Sequence, residues 1–471
     1  MGKIRPPRSR ESASAKTVFT HKPFADEKRT SWSSSSVLAT MRHPSEMTGE
    51  ELGTASVAAA REQIDSERFW DMLAERAAGL SNSMEPRDIS LLLNAMSRTR
   101  RLSNHLPLIE ALENSINKQL PYFSSTQIAM VFSAIAKSFA PAVLPSELLP
   151  RLVEEVKSRV HEFGSSVEIS MVLNALAKLG VVDSGLSQRL STIIQSKIRS
   201  GSVLFNPREL CVIAHALSQM GVRETLLFEM IESRVLPSMA ELTPVETARL
   251  LVGFARAGKN LDRLLEAATV ICSLRFRSMS SAELVNAVYS FCSLCEYLPS
   301  SSQQIELVDD LKHACIQSLA LFQPREIAAI LTSFSRWHIQ LRPEEVETLA
   351  NRLRLMSKRI DGVDLVGIVG SIWSISSRDS RNVGCLTDLL SQWLLQVEAT
   401  IPHSTDWQII AKAVEAYCQI GLGKELVNCL SICVVNNGAA SIDHSARIAL
   451  SQSLETVLDT DSDLLQVLRS P

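Results

Sequence analysis

Basic and polar side chains recur along this chain at positions that suit contact with a polyanion. Their spacing is set by a mostly acidic residue, called the anchor, which returns about every forty residues. The nine anchors are Asp88, Gln127, Glu168, Glu209, Glu246, Glu283, Glu326, Asp364 and Asp406. Ten residues after the anchor, five of nine repeats carry a cation: Arg98, Lys137, Lys178, Arg256 and Arg336. Six residues after the anchor the side chains are mostly polar, and they include Asn94, Asn174, His215 and Tyr289.

Both sets are expected on one face of a helix, because an α-helix has 3.6 residues per turn. Stacked helices would then present a row of cations beside a row of hydrogen-bonding groups. Single-stranded RNA needs cations for its phosphates and polar side chains for its base edges. The sequence therefore predicts an RNA-binding surface, with Tyr289 as the best stacking platform. The alternative is that a basic residue in a last turn only complements the helix dipole.

Other chemistries find little support in the sequence. Cys292 and Cys295 form a C-x-x-C pair, and Cys429 and Cys433 lie four residues apart, but neither pair has a second pair at zinc-site spacing. There is no phosphate-binding loop, dinucleotide fingerprint or nucleophile elbow. We therefore expect no catalytic residues, no metal, no cofactor and no small-molecule substrate, and we predict that the protein is not an enzyme.

The anchors themselves predict the helices that position these side chains. Several follow a Ser, Thr or Asn by three residues, as in Asn206 and Glu209 or Thr243 and Glu246, which is the capping-box spacing. Successive anchors are 39, 41, 41, 37, 37, 43, 38 and 42 residues apart. A period near forty is typical of stacked helix pairs. We predict an all-α fold, an α-solenoid of about nine helix-turn-helix repeats of 37–43 residues.

The composition divides the chain into four parts. Residues 1–55 are basic, Ser-rich and poor in apolar side chains, which predicts disorder and is typical of a mitochondrial transit peptide, an ordinary tail being the alternative. Residues 56–83 are predicted to form an N-terminal capping helix, residues 84–421 the solenoid, and residues 422–471 a degenerate repeat with capping helices. No apolar run is long enough for a membrane span.

The repeat resembles the organellar octotricopeptide and heptatricopeptide families, and it is similar to the helical portions of FAST-kinase-like and RAP-domain proteins. The units that match best are residues 166–178, 206–218 and 323–327. The resemblance, which is to the apicomplexan mitochondrial type, implies a protein of the mitochondrial matrix that binds single-stranded or ribosomal RNA beside other ribonucleoprotein or mitoribosomal proteins. No RAP-like domain follows the repeats.

A second reading stays open. The formal net charge is −3, and nine Lys or Arg against three Asp or Glu in residues 1–45 leave about −9 for the remainder. That balance favours a protein-interaction scaffold of the HEAT or armadillo kind without direct RNA contact, with the cytoplasm as the alternative location.

Overall fold

A computed structural model describes residues 42–297, 302–376, 380–438, 441–458 and 462–469. This part of the chain contains 22 α-helices joined by short 3-10 turns, and no β-strand is present within it. The all-α prediction is confirmed. Most of the predicted transit-peptide-like segment, residues 1–41, lies outside the described residues.

The helices alternate between two layers. The first layer holds the odd-numbered helices: α1 (Gly49–Arg61), α3 (Pro86–Arg98), α5 (Ser125–Ser138), α7 (Ser166–Lys178), α9 (Pro207–Gln219), α11 (Pro244–Arg256), α13 (Ser281–Cys292), α15 (Pro324–Arg336), α17 (Gly362–Ile375), α19 (Trp407–Gln419) and α21 (His444–Leu454). Each of these first helices packs against the next one along the array.

The second layer holds the even-numbered helices: α2 (Glu67–Gly79), α4 (Leu106–Gln119), α6 (Leu148–Ser158), α8 (Ser184–Ser200), α10 (Thr225–Val235), α12 (Asp262–Phe276), α14 (Ser302–Gln317), α16 (Pro343–Met356), α18 (Ser380–Thr400), α20 (Val427–Asn437) and α22 (Asp463–Arg469). The pairs from α3–α4 to α19–α20 are the nine predicted repeats.

The anchors begin the first helices, as predicted. The Asn206 side chain accepts a hydrogen bond from the Glu209 amide at 2.9 Å, and Glu209 accepts one from the Asn206 amide at 2.9 Å. The same reciprocal bonds start α5, α7, α11 and α13. Asp406 differs, because it caps α19 itself and accepts from the Ile409 amide at 3.2 Å.

The array begins earlier than predicted. Helix α1 starts at Gly49, inside the segment that we assigned to the disordered tail, and two helices rather than one precede the first predicted repeat. Thr48 and Glu51 form a capping box, and Glu51 lies 37 residues before Asp88. Because α1 packs against α3 as later first helices pack on one another, this pair is a full repeat rather than a cap.

The predicted boundary at residue 421 falls inside a helix pair. Residue 421, where we placed the end of the solenoid, lies between α19 and its partner α20. Helix α21 continues the first layer by packing on α19, and α22 covers α21. The last predicted segment therefore contains the second half of the ninth pair and one further pair.

The first layer is the more closely packed of the two. Residues 365–372 of α17, two complete turns, are all buried. A Cβ atom at Gly253 would lie 2.9 Å from the backbone of His215, so only glycine allows α11 to approach α9 this closely. No helix among the described residues combines the length and apolarity that a membrane span requires.

Candidate nucleic-acid interface

Four cations of the first layer lie close enough to influence one another's charge, three of them exposed and the fourth, Arg249, half-buried. Arg98, Lys137 and Lys178 lie at the C-terminal ends of α3, α5 and α7, and all three side chains are exposed. Partial burial is the main cause that lowers the pKa of Lys137, and the charges of Lys178 and Arg98 lower it further. Burial and the charge of Arg249 on α11 lower the pKa of Lys178. We call Arg98, Lys137, Lys178 and Arg249 the cation ladder.

The ladder has no acidic partners among the described residues. None of its four side chains forms an ion pair or a hydrogen bond there, and no carboxylate contributes to the pKa shift of Lys137 or Lys178. Like charges held close together without counter-ions repel one another. A bound anion would relieve this repulsion, so the row is suited to phosphate groups.

Two of the predicted cations are engaged by the protein instead. Arg256 donates to the Tyr297 hydroxyl through Nε at 3.1 Å and Nη2 at 2.9 Å, with its guanidinium carbon 5.0 Å from the ring centroid. Arg336 lies 3.9 Å from a Glu296 carboxylate oxygen and 5.1 Å from the Trp337 ring centroid, although its side chain is exposed. Arg256 is therefore a packing residue first, whereas Arg336 keeps a surface available for a ligand.

The predicted polar residues lie beside the ladder. Asn94 and Asn174 are half-buried on α3 and α7, and their side-chain amides have no hydrogen-bond partner within the described chain. Tyr289 on α13 is 58% exposed, and its ring meets Trp337 edge to face at a centroid distance of 5.6 Å. Free amides and an exposed ring are the groups that read and stack bases.

His215 of α9 is uncharged at neutral pH beside two arginines of α11, Arg249 and Arg256. Burial lowers its pKa to about 4, with the charges of Arg256 and Arg249 acting in the same direction. An imidazole at this position is therefore an uncharged hydrogen-bonding group at neutral pH.

This shift predicts a pH-dependent loss of stability. Because the pKa is about 4 when folded and 6.5 ordinarily, the unfolded chain binds more protons between these values. The free energy of unfolding is expected to fall as the pH is lowered through this window. His215→Asn should weaken that dependence, measured as the urea midpoint at pH 7, 6 and 5. Identical pH profiles for the two proteins would contradict the assignment.

Some functional residues were less visible in the sequence. Arg249 lies three residues after its anchor, outside the two positions that the spacing predicts, and the other nearby cations Arg101 and Arg275 lie outside them as well. In the structure Arg101 pairs with Asp65, and Arg275 donates to the backbone carbonyls of Leu242 and Ala240. Arg249 alone among them contributes directly to the pKa shift of Lys178.

Two adjoining cavities open on the first layer beyond the ladder. One, of about 490 Å³, lies between α13, α15 and α17. The other, of about 380 Å³, lies between α15, α17 and α19. Four residues line both cavities: Thr332, Arg336, Gly367 and Ile409. Nothing in the sequence pattern singled out Gly367.

The cysteine pairs are parts of the core. Cys292, Cys429 and Cys433 are buried and Cys295 is half-buried. Burial raises the pKa of the Cys292 thiol well above its ordinary value and raises that of Cys429 to about 12. Such thiols are weak nucleophiles at neutral pH. Within the described ranges, no group of three or more His, Cys, Asp or Glu side chains is placed to hold a metal ion.

The stacked helix pairs define an α-solenoid of the helical-repeat class. Its first layer carries cations and side-chain amides that have no partner among the described residues. Residues 147–388, just over half of the chain, match the family model of the RNA-editing substrate-binding complex 6 protein, and the chain belongs to this family. The matched region begins just before α6 and ends within α18, so it includes Lys178 and Arg249. Of the residues that line both cavities, it includes Thr332, Arg336 and Gly367 but not Ile409. A comparison with curated proteins found no match.

Proposed function

We propose that this protein binds single-stranded RNA along the first layer of its solenoid, as a non-catalytic component of a ribonucleoprotein complex. The observation that carries the proposal is the cation ladder, a row of four neighbouring cations without acidic partners among the described residues. The family name, RNA-editing substrate-binding complex 6 protein, supports RNA and protein partners of this kind.

The location and the particular RNA belong to the proposal as well. The basic, Ser-rich composition of residues 1–55 supports import into the mitochondrial matrix. The family match favours an RNA-editing substrate over ribosomal RNA, which stays the second candidate through the resemblance to organellar octotricopeptide proteins. In both cases the ladder would hold the phosphates, while Asn94, Asn174 and His215 would face the bases, in the manner of helical repeats that take about one base per unit.

Equilibrium binding of the purified chain to a labelled single-stranded RNA at several salt concentrations tests the proposal. Each neutralised phosphate of a single strand contributes about −0.7 to the slope of log affinity against log salt, so four ladder contacts predict a slope near −3. A matched RNA duplex should bind more weakly, because its bases are not accessible to Asn94, Asn174 and His215. Absence of binding at low salt would contradict the proposal and favour the protein-scaffold alternative.

A further inference from the structure

Helix α17 contains a glycine that packing does not explain. At Gly370 a Cβ atom would lie 2.7 Å from the Lys412 Cβ and 2.9 Å from the Ala413 amide nitrogen, so glycine is needed for α19 to approach. At Gly367 the nearest atom to such a Cβ is the Thr332 hydroxyl at 4.0 Å. Glycine inside a helix is less favourable than alanine. Alanine would fit at Gly367, so the helix accepts a cost that its own packing does not require.

The space above Gly367 is where the two cavities meet. Their volumes, about 490 and 380 Å³, lie within the range of about 300–1,000 Å³ that is usual for small-ligand sites. We call the space lined by Thr332, Arg336 and Gly367 the glycine notch. The notch is formed by α13 to α19, the first-layer helices that follow those carrying the cation ladder.

The walls of the notch combine an aromatic ring with cations. Tyr289 lines one cavity, and its exposed ring is fixed by the edge-to-face contact with Trp337. Lys412 lines the other and reaches across α17 to donate to the Ser335 hydroxyl at 2.8 Å. Arg336 lies between them, because it lines both cavities.

Polar groups complete the lining of the notch. Thr332 lines both cavities, Asp406 and Gln408 line the smaller one, and Asp364 lines the larger one. The Gln408 side-chain amide donates to Asp443 and Ser445, which leaves its carbonyl oxygen as an acceptor. A ring for stacking, donors and acceptors for base edges, and two cations for the adjoining phosphate are together the requirements of a nucleotide whose base has left the stack.

We propose that the glycine notch binds one unstacked nucleobase of the RNA strand whose phosphates lie on the cation ladder; this inference rests on the proposed function. Gly367 is kept small because a side chain there would occupy the place of the base. Tyr289 stacks on the base, and Arg336 and Lys412 contact its phosphate. A free nucleotide carries the same base and phosphate as a nucleotide of the RNA strand, so the experiment must distinguish a free nucleotide from a bound strand.

The test compares Gly367→Leu with Gly367→Ala. Both substitutions improve the helix propensity of α17, and Ala leaves most of the notch open. Each protein is titrated with a single-stranded RNA and with an abasic strand of the same length, which keeps the phosphates and lacks the bases. The wild type and Gly367→Ala should prefer the base-containing strand, and Gly367→Leu should lose about tenfold of that preference, as expected for one stacked base.

Tyr289→Ala and Tyr289→Phe give a second pair that does not depend on how leucine fits. Ala should lose the same preference and Phe should keep it, because a phenyl ring still stacks. Melting temperatures at least equal to that of the wild type are expected for both Gly367 variants. If Gly367→Leu has a lower melting temperature than the wild type, the base preference of the two Tyr289 variants alone tests the notch proposal.

The outcomes separate the two proposals. If the wild type binds neither strand, the proposed function fails. If both strands bind and all variants keep the wild-type preference, the notch proposal is overturned while RNA binding stands. If a nucleoside monophosphate alone saturates the notch of the wild type at micromolar concentration, the site belongs to a free nucleotide, and the proposal is overturned in favour of that ligand.

Discussion

Replacing Arg98, Lys137, Lys178 and Arg249 together with glutamate is expected to weaken RNA binding by at least about a hundredfold at low salt, because four phosphate contacts become repulsive. The slope of log affinity against log salt should become less negative by about 3 for the same reason. The fold should be kept, since these side chains have no ion pair or hydrogen bond with the described residues that the change would break. Filter binding over a salt series measures both quantities.

A matched control changes the same charge on the opposite layer. Lys118, Arg151, Arg189 and Arg199 are exposed cations of the second helices α4, α6 and α8. Their joint replacement with glutamate changes the net charge by the same amount as the ladder variant. It should therefore reduce RNA affinity only through the long-range electrostatic field of the protein. If both quadruple variants lose the same affinity, the ladder is not the binding surface and general charge accounts for the binding.

The largest effect on stability is expected from Gly253→Leu. A side chain at this position would enter the backbone of α9, because even the Cβ atom would lie 2.9 Å from the His215 Cα and amide nitrogen and 3.0 Å from the Ala214 carbonyl carbon. Backbone cannot yield as a flexible side chain does, so we expect a loss of about 3 kcal/mol or more. Since each repeat contacts only its neighbours, urea unfolding should separate into two steps at the α9–α11 junction.

Gly79→Leu is the control for that substitution. It places the same side chain at the exposed end of α2, where a Cβ atom has no neighbour within 4 Å. Unfolding followed by circular dichroism should remain close to wild type in this variant. A Gly253→Leu protein with an unchanged midpoint and one transition would show that the first layer tolerates a wider spacing, against the packing described here.

The repeat was predictable from sequence because its signals are local. A capping box joins residues three apart, as in Asn206 and Glu209, so helix starts follow from short spacings. The first pair was missed because α1 buries mostly small residues, such as Gly53, Ala55 and Ala59, whose hydrophobic periodicity is weak. The boundary at residue 421 fell inside the ninth pair because Gly421, which has a positive φ, follows the first helix α19 and does not end the pair.

The site was predictable only in part, since its contacts join distant residues. The spacing placed Arg98, Lys137 and Lys178 on one surface, and the structure brings them together. Spacing did not reveal that Arg256 is held by Tyr297, 41 residues away. The spacing also did not indicate that Gly367 lines two cavities. The room beside this glycine depends on how closely α15, α17 and α19 stack, which short spacings do not encode.

Photo-crosslinking of the full chain to a 4-thiouridine-labelled single-stranded RNA, followed by mass spectrometry of the linked peptides, tests whether RNA lies on the first layer. We predict crosslinks on the first helices from α3 to α15, including the peptide that contains Tyr289, and weaker or no crosslinks on the second helices. Crosslinks confined to the second helices, or to the basic segment of residues 1–41, would contradict it.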